Sequence, residues 1–497
     1  MKRKYTNKKV FWIITLLAIG LSASISASAQ KQKKPNVILI YIDDLGYGDL
    51  SCYGATKIST PHVDKLADNG LKFTNGHCTS ATCTPSRYGM LTGEYPWREK
   101  GRNILPGDAP LIIDTKKPTL QSIFKQAGYA TAIVGKWHLG LGNTVEKNWN
   151  DKITPGPNET GFDYSFIFPA TADRVPTVFM ENGSVIGLDK DDTIRVNYRA
   201  KIGDEPTGKE NPELLKLQAS VGHNNTIVNG IGRIGFMTGG KLARWTDEEI
   251  GPTFLAKAQH FIEENASHPF FLYFSLNDIH VPRMPATMFK GKSVLGSRGD
   301  AILEMDWMVG EITKQLKRLK LDKNTMIIFS SDNGPVLDDG YADNAVQLSK
   351  DHAPAGPLRG GKTSYYEGGT RVPLIVNWPG KVKKGTSDAM ICQIDFLRSF
   401  ASSFNINLKV DEASDSENLW LALTGKNQNG RSVLIEEGYF NLAIVKDGWK
   451  YIPAYKNSKE QLYNLKTDLG ERKNLITENP EMAAKLKSLL DAERKAI

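Results

Sequence analysis

The sharpest chemical signal in the sequence is Cys83-Thr84-Pro85-Ser86-Arg87, which runs on into Tyr88-Gly89-Met90-Leu91-Thr92-Gly93. Pro85 reads as the first residue of a helix, where its missing N–H leaves no bond unmade. Cys83 then lies at the helix start, where free backbone N–H groups and the helix dipole favour an anion. Arg87 stands four residues on, one turn away, and can reach back to the same spot. A thiol so placed is expected to be acidic and reactive. Four further polar clusters stand elsewhere: Asp43-Asp44, Gly135-Lys136-Trp137-His138, Asn277-Asp278-Ile279-His280 and Asp332-Asn333-Gly334. Any one of them could be a turn or a cap, as Asp and Asn often are. Together they form one constellation.

What joins them is position. Each cluster directly follows a short apolar run, at residues 36–42, 130–134, 270–276 and 326–330, with a further run at 372–376. Such runs, rich in β-branched residues, read as buried strands of a parallel sheet. Helical patterns at 62–68, 120–127, 252–264 and 301–319 alternate with them. The expectation is an α/β fold, a mostly parallel sheet with helices on both faces. Sheets of this kind bind ligands at the carboxyl ends of their strands, where all four clusters fall. Beyond residue 395 the pattern becomes short runs at 432–436, 442–445, 449–452 and 461–465, punctuated by Asp447-Gly448. With a closing helix at 480–494, this predicts a smaller C-terminal α+β subdomain (396–497) containing an antiparallel sheet, after a catalytic domain spanning 30–395. Residues 405–430 are polar and irregular and read as loop.

The chain has 497 residues, 40% hydrophobic and 24% charged, a globular composition that excludes disorder and coiled coil. Four cysteines exclude a disulfide scaffold. If Cys83 is consumed by chemistry, at most one disulfide can form among Cys52, Cys78 and Cys392. The net charge of +8 comes largely from Lys2, Arg3, Lys4, Lys8 and Lys9; without them 58 basic residues face 55 acidic ones, leaving +3. That basic region, the apolar run from Phe11 to Leu21 and Ala27-Ser28-Ala29-Gln30 predict a cleaved signal peptide at residues 1–29. The apolar run is short of the ~20 residues that span a bilayer. An exported, periplasmic protein with no membrane span is expected. A near-neutral mature chain without a basic tract excludes nucleic acid as partner.

Cys-x-Pro-x-Arg with the trailing Leu-Thr-Gly resembles the signature of the type I, formylglycine-dependent sulfatases of the alkaline-phosphatase-like superfamily. The resemblance runs from about Pro35 to the C-terminus. It takes in residues 36–49, Gly135-Lys-Trp-His-Leu-Gly, Ser331-Asp-Asn-Gly and Gly361-Lys-Thr-Ser-Tyr-Tyr-Glu-Gly-Gly-Thr-Arg-Val-Pro. It implies that a maturation enzyme oxidises Cys83 to formylglycine. It implies a Ca²⁺ ion on Asp43, Asp44, Asp332, Asn333 and residue 83, matching the preference of Ca²⁺ for hard oxygen ligands. One hydroxyl of the hydrated aldehyde would attack sulfur, and loss of a proton from the other would restore the aldehyde. Arg87 would orient the hydrate. His138 is the candidate base, with Lys136 beside it, and His280 the candidate acid for the leaving alkoxide. Lys362 would bind sulfate and assist departure. A positioned acid or base contributes roughly 10²–10⁴-fold.

The segment from Phe168 to Leu188, Gly222-His223 onward and Asp278-Ile-His-Val-Pro-Arg283 look like bacterial sulfatases that remove the 6-O-sulfate of galactose or N-acetylgalactosamine. Asp173 and Arg174 set an acceptor beside a fork of donors, suited to vicinal sugar hydroxyls, and are expected to read the axial 4-hydroxyl. His223 is a further expected sugar contact, with Arg233, Lys241 and Trp245 behind it. The substrate expected is a sulfated glycan. Alternatives are a sulfatase of aryl or N-acetylglucosamine sulfates, or a phosphatase or phosphodiesterase of the same superfamily. The latter commonly use Ser or Thr with more histidine ligands than a chain of 8 His suggests. A non-catalytic glycan-binding relative should have lost Cys83, His138, His280 or Lys362, and none is lost.

Overall fold

The computed structural model describes residues 34–495, so the expected signal peptide lies outside the described residues. In chain order the elements that build and flank the large sheet begin with β1 (Asn36–Ile42), α1 (Pro61–Asp68), β2 (Leu71–Phe73), α2 (Cys83–Thr92), α3 (Leu120–Gln126), β3 (Ala130–Lys136) and β4 (Tyr164–Phe168). They continue with β5 (Met180–Glu181), β6 (Ser184–Val185), α4 (Ile250–Glu264), β7 (Phe270–Ser275), α5 (Gly296–Arg318), β8 (Thr325–Ser331), β9 (Leu374–Asn377), β10 (Gly385–Ser387) and α6 (Phe396–Ser403).

The strand order is β10-β2-β9-β8-β1-β7-β3-β4-β5-β6. The five central strands, β8-β1-β7-β3-β4, are all parallel. Their carboxyl ends therefore lie along one edge, and Asp43, Lys136, Ser275 and Asp332 all sit on it. β9, from the run at 372–376, is antiparallel to β8. A buried apolar run reports burial on both faces and carries no direction, so the sequence pattern could not separate this strand from the parallel ones. Alternate residues of β1 feed two cores. Ile38, Ile40 and Ile42 pack with Phe254 of α4 and Met305 of α5. Val37, Leu39 and Tyr41 pack with Phe124 of α3 and Phe396 and Phe400 of α6. Burial on both sides is what makes the run continuous, and cutting one such isoleucine to alanine costs about 2–5 kcal/mol.

The C-terminal region forms a second sheet of β11 (Val433–Glu437), β12 (Leu442–Lys446), β13 (Trp449–Ile452) and β14 (Gln461–Asn464), antiparallel throughout as expected. Asp447 and Gly448 both take positive φ, 54° and 83°, the two-residue turn that fits the twist of paired strands. The final helix, α7 (Pro480–Lys495), lays Ala483, Leu486 and Leu490 on this sheet. Residues 405–430 are not wholly loop, because 420–423 close one helical turn. No helix among the described residues is long and apolar enough to cross a membrane.

Candidate active site

Cys83 is the first residue of α2, with Thr82 as its N-cap. The helix thus begins two residues earlier than Pro85 suggested. Pro85 still falls in the first turn, where backbone N–H groups have no intrahelical partner. Cys83 is fully buried, and burial pushes its thiol up despite the opposing pull of Lys136 and Lys362. The expected acidic thiol is therefore corrected: desolvation outweighs both the lysines and the helix start.

Arg87 is likewise buried, and its guanidinium is held at the sheet edge. Nε and Nη2 donate to Asp332 Oδ2 at 3.0 and 2.8 Å, and Nη1 to Ser275 Oγ at 2.5 Å. Asp332 Oδ1 accepts from the backbone N–H of Asp44 at 3.2 Å. Asn333 Nδ2 donates to Asp44 Oδ1 at 2.7 Å. Lys136 Nζ donates to Asp43 Oδ2 at 2.5 Å. Gly135, one residue earlier, has φ 123°, and a Cβ there would lie 1.8 Å from Ser275 O, so only glycine lets β3 end this close to β7.

Two oxygens here are buried without a hydrogen bond, Asn333 Oδ1 and Asp43 Oδ1, the latter 3.9 Å from Arg87 Nη2. Burial and the neighbouring Asp332 charge push the Asp43 carboxyl up. Burial acts on Asp44 in the same sense, but Lys362 and Lys136 outweigh it and hold that carboxyl low. Ligand atoms of Asp43, Asp44 and His280 lie within 4.8 Å of one another. Closely packed carboxylates with orphaned oxygens suit a hard divalent cation.

His138 takes a left-handed backbone, φ 55°, immediately after β3. Its Nε2 donates to Leu105 O at 2.8 Å, leaving Nδ1 buried without a partner. Burial, with Lys136 next, holds the ring well below the ordinary histidine range. It is a neutral imidazole with a free lone pair, which is what a base requires. His280 donates from Nδ1 to Val281 O at 2.7 Å, and its Nε2 faces Asp44 Oδ2 at 3.8 Å. Burial and Lys362 hold it well below the ordinary range too, so the expected acid is neutral in the free protein. Lys362 Nζ bridges Asp44 Oδ2 at 2.9 Å and Asp339 Oδ2 at 2.7 Å. Burial opposes its charge, but Asp44 and Asp339 prevail and keep it protonated.

Arg174 Nη1 donates to Asp173 Oδ1 at 2.9 Å and to Thr171 Oγ1 at 2.6 Å. His223 Nε2 lies 3.5 Å from Asp173 Oδ2. Arg174 remains 16% exposed beside its buried partner, and its charge is felt at His138. Arg233 is fully buried and forked onto Asp247, Trp245 is buried in the core, and Lys241 is exposed. Cys52, Cys78, Cys83 and Cys392 are all free thiols. Sequence reasoning missed Asp339 and Ser275. Ser275 closes β7 and could have been found as the last inward-facing position of its strand. Asp339 sits in an irregular loop that offers no periodic signal.

Acids, lysines and an arginine are buried together at the parallel strand ends, with one imidazole nitrogen free of hydrogen bonds beside them, the chemistry that an anionic ester would need. The chain belongs to the sulfatase family, whose profile matches residues 35–406. It is 52% identical over 480 residues to an N-acetylgalactosamine-6-O-sulfatase of Bacteroides thetaiotaomicron, covering 94% of each chain. A solved structure from work on glycosaminoglycan metabolism in Bacteroides thetaiotaomicron superposes with a TM-score of 0.91 at 51% identity, covering 93% of this chain and all of that one. A phosphonate monoester hydrolase of Agrobacterium radiobacter shares the fold alone, with a TM-score of 0.55 at 15% identity over 93% of this chain and 96% of that one.

Proposed function

We propose that this sulfatase hydrolyses the 6-O-sulfate of a galacto-configured sugar, N-acetylgalactosamine or galactose, within a glycan. The observation that carries the chemistry is the pair of orphaned oxygens, Asp43 Oδ1 and Asn333 Oδ1, in the pocket that also holds Cys83. Asp43, Asp44, Asp332 and Asn333 would hold Ca²⁺, which when bound supplies a Lewis acid for the sulfate oxygens. Residue 83, matured to formylglycine, would supply the nucleophile. Arg87 keeps Asp332 fixed, and Lys136 keeps Asp43 fixed, so the cradle is rigid before substrate arrives. His138 Nδ1, neutral and without a hydrogen bond, would serve as the base for residue 83. Lys362 carries its charge to the ester's oxygens. His280 Nε2 faces the same space, and an anionic ester placed there raises its pKa and equips it to protonate the leaving alkoxide.

The identity to an N-acetylgalactosamine-6-O-sulfatase supports the sugar and the position of the ester. Asp173, Arg174 and His223 are proposed to read the axial 4-hydroxyl. Export to the periplasm is proposed from the N-terminal sequence alone. The test is sulfate release from 6-sulfated N-acetylgalactosamine, galactose and N-acetylglucosamine, with mass spectrometry of the peptide containing residue 83. Release from the first two and not the third is expected; equal turnover of both epimers contradicts the reading.

A further inference from the structure

The loop after β4 carries Asp173 and Arg174, and it is anchored at both ends to the surroundings of the base. At its start the N–H of His138 donates to Pro169 O at 3.1 Å. At its end the anchor is a single hydroxyl, that of Tyr198. This phenol donates to Val175 O, the carbonyl that follows Arg174. It also accepts from the N–H of Gly107 at 2.8 Å. Gly107 lies two residues past Leu105, whose carbonyl takes the His138 Nε2 hydrogen at 2.8 Å. One oxygen atom therefore joins the loop that orients the base to the loop that carries the expected sugar contacts.

The segments meet too closely for extra atoms. A Cβ on Gly107 would lie 2.1 Å from Val175 O and 2.6 Å from the Tyr198 hydroxyl. Gly235 has φ 90°, and a Cβ there would lie 2.7 Å from Val175 Cγ2 and 3.1 Å from the Tyr198 ring. Tyr198 itself is fixed from behind. Arg195–Asn197 pairs antiparallel with Phe236–Thr238. Just before that pairing the N–H of Ile234 donates to Asp173 O at 2.7 Å, and Ile234 O accepts from the N–H of Val175 at 3.1 Å. Ribbon, loop and phenol close one frame around Arg174.

The electrostatics agree with this placement. Burial pushes the Tyr198 phenol up against the opposing charge of Arg174, so the hydroxyl stays a donor. Burial opposes the Arg174 charge, and Asp173 sustains it, with Tyr198 and then Cys83 acting in the same sense. The hydrogen bonds of the Arg174 side chain all run through Nη1, to Thr171 and Asp173 on its own loop. Its position relative to residue 83 is thus set by how that loop is anchored.

We propose that Tyr198 is a positioning residue for specificity, its hydroxyl fixing Asp173 and Arg174 against the base so that the sugar hydroxyl they read and the ester at residue 83 are engaged together. Tyr198 acts through Arg174 and makes no contact with the sugar. This rests on the reading of Asp173 and Arg174 given above.

Tyr198→Phe keeps the ring that Gly235 abuts and removes only the oxygen. The buried N–H of Gly107 and the buried carbonyl of Val175 then both lose their partner, which favours parting the two loops. The experiment compares the mature wild type, Tyr198→Phe and Arg174→Ala on 6-sulfated N-acetylgalactosamine and on its 4-deoxy analogue. Tyr198→Phe is expected to lower kcat/KM roughly tenfold on the parent sugar, chiefly through KM, as loss of a hydrogen bond to a charged group does. Turnover of the 4-deoxy analogue should stay as in the wild type, so the advantage given by the 4-hydroxyl shrinks by the same factor. Arg174→Ala should shrink that advantage too. An advantage lost in Arg174→Ala but kept in Tyr198→Phe overturns the proposal alone. An advantage kept in Arg174→Ala overturns the proposal together with the reading beneath it. Equal slowing of both sugars by Tyr198→Phe also overturns it, because that is loss of the fold or of the base. Calorimetry of both sugars on Cys83→Ala, with and without Tyr198→Phe, repeats the comparison without turnover. Weaker binding of the parent sugar alone supports the proposal, and unchanged binding of both contradicts it.

Discussion

Asp43 and Lys450 are both fully buried charges, yet their surroundings are completed in different ways. Lys450 Nζ stands among three carboxylates, 2.6 Å from Glu436, 3.0 Å from Glu367 and 3.1 Å from Glu471. Arg371 Nη1 joins Glu367 at 2.9 Å. His77, Glu367 and Glu436 are grouped tightly enough to hold a metal, as Asp43, Asp44 and His280 are. In the C-terminal cluster, however, the lysine already occupies the centre. At the strand ends Lys136 and Lys362 take one oxygen of Asp43 and of Asp44, respectively, and Asp43 Oδ1 and Asn333 Oδ1 are left without a hydrogen bond. The first cluster satisfies its acids with the chain's own lysine, whereas the second leaves two side-chain oxygens without a hydrogen bond. The C-terminal cluster is structural cement between the second sheet and the loop carrying Lys362.

The comparison can be broken most sharply at residue 83. Cys83→Ala should remove sulfate release by roughly 10⁴-fold or more while leaving the fold intact, measured by turnover alongside circular dichroism. His138→Gln should lower turnover by roughly 10²–10⁴-fold, the range of a lost base. The wild-type profile sharpens this. His138 must be neutral to accept a proton, and its folded pKa lies below 6.5, so the acid limb of kcat/KM should fall below pH 6.5. A limb at or above 6.5 would assign the base elsewhere. At the other cluster, Lys450→Met should lower unfolding free energy by about 3–5 kcal/mol, because three carboxylates lose their partner. Turnover by molecules still folded should change little, and denaturant unfolding with parallel assays measures both. Asp339→Asn should have the smallest effect, a fall of a few-fold in kcat with Lys362 still held by Asp44.

Much of this was legible before the fold was known. β1, β3, β7 and β8 announced themselves as continuous apolar runs because each is buried on both faces. The residues just past them had to share an edge once the strands were parallel. That logic placed Asp43, Asp44, Lys136, His138, His280, Asp332 and Asn333 together. It failed where no period exists. The direction of β9 depends on its connection rather than its composition. Asp339 lies on an irregular loop. The raised thiol of Cys83 depends on desolvation by tertiary neighbours, which helix position alone does not report. The Lys450 cluster was invisible for the same reason, since its members come from five separate segments and pair only in space.

The most direct test is calcium titrated into chelator-treated, mature enzyme, with bound metal and sulfate release followed together in the wild type, Asp332→Ala and Glu436→Ala. The account expects one calcium per wild-type chain, turnover recovered in step with its binding, and both lost in Asp332→Ala but kept in Glu436→Ala. Full turnover in metal-free enzyme, or metal binding that survives in Asp332→Ala and disappears in Glu436→Ala, would contradict it.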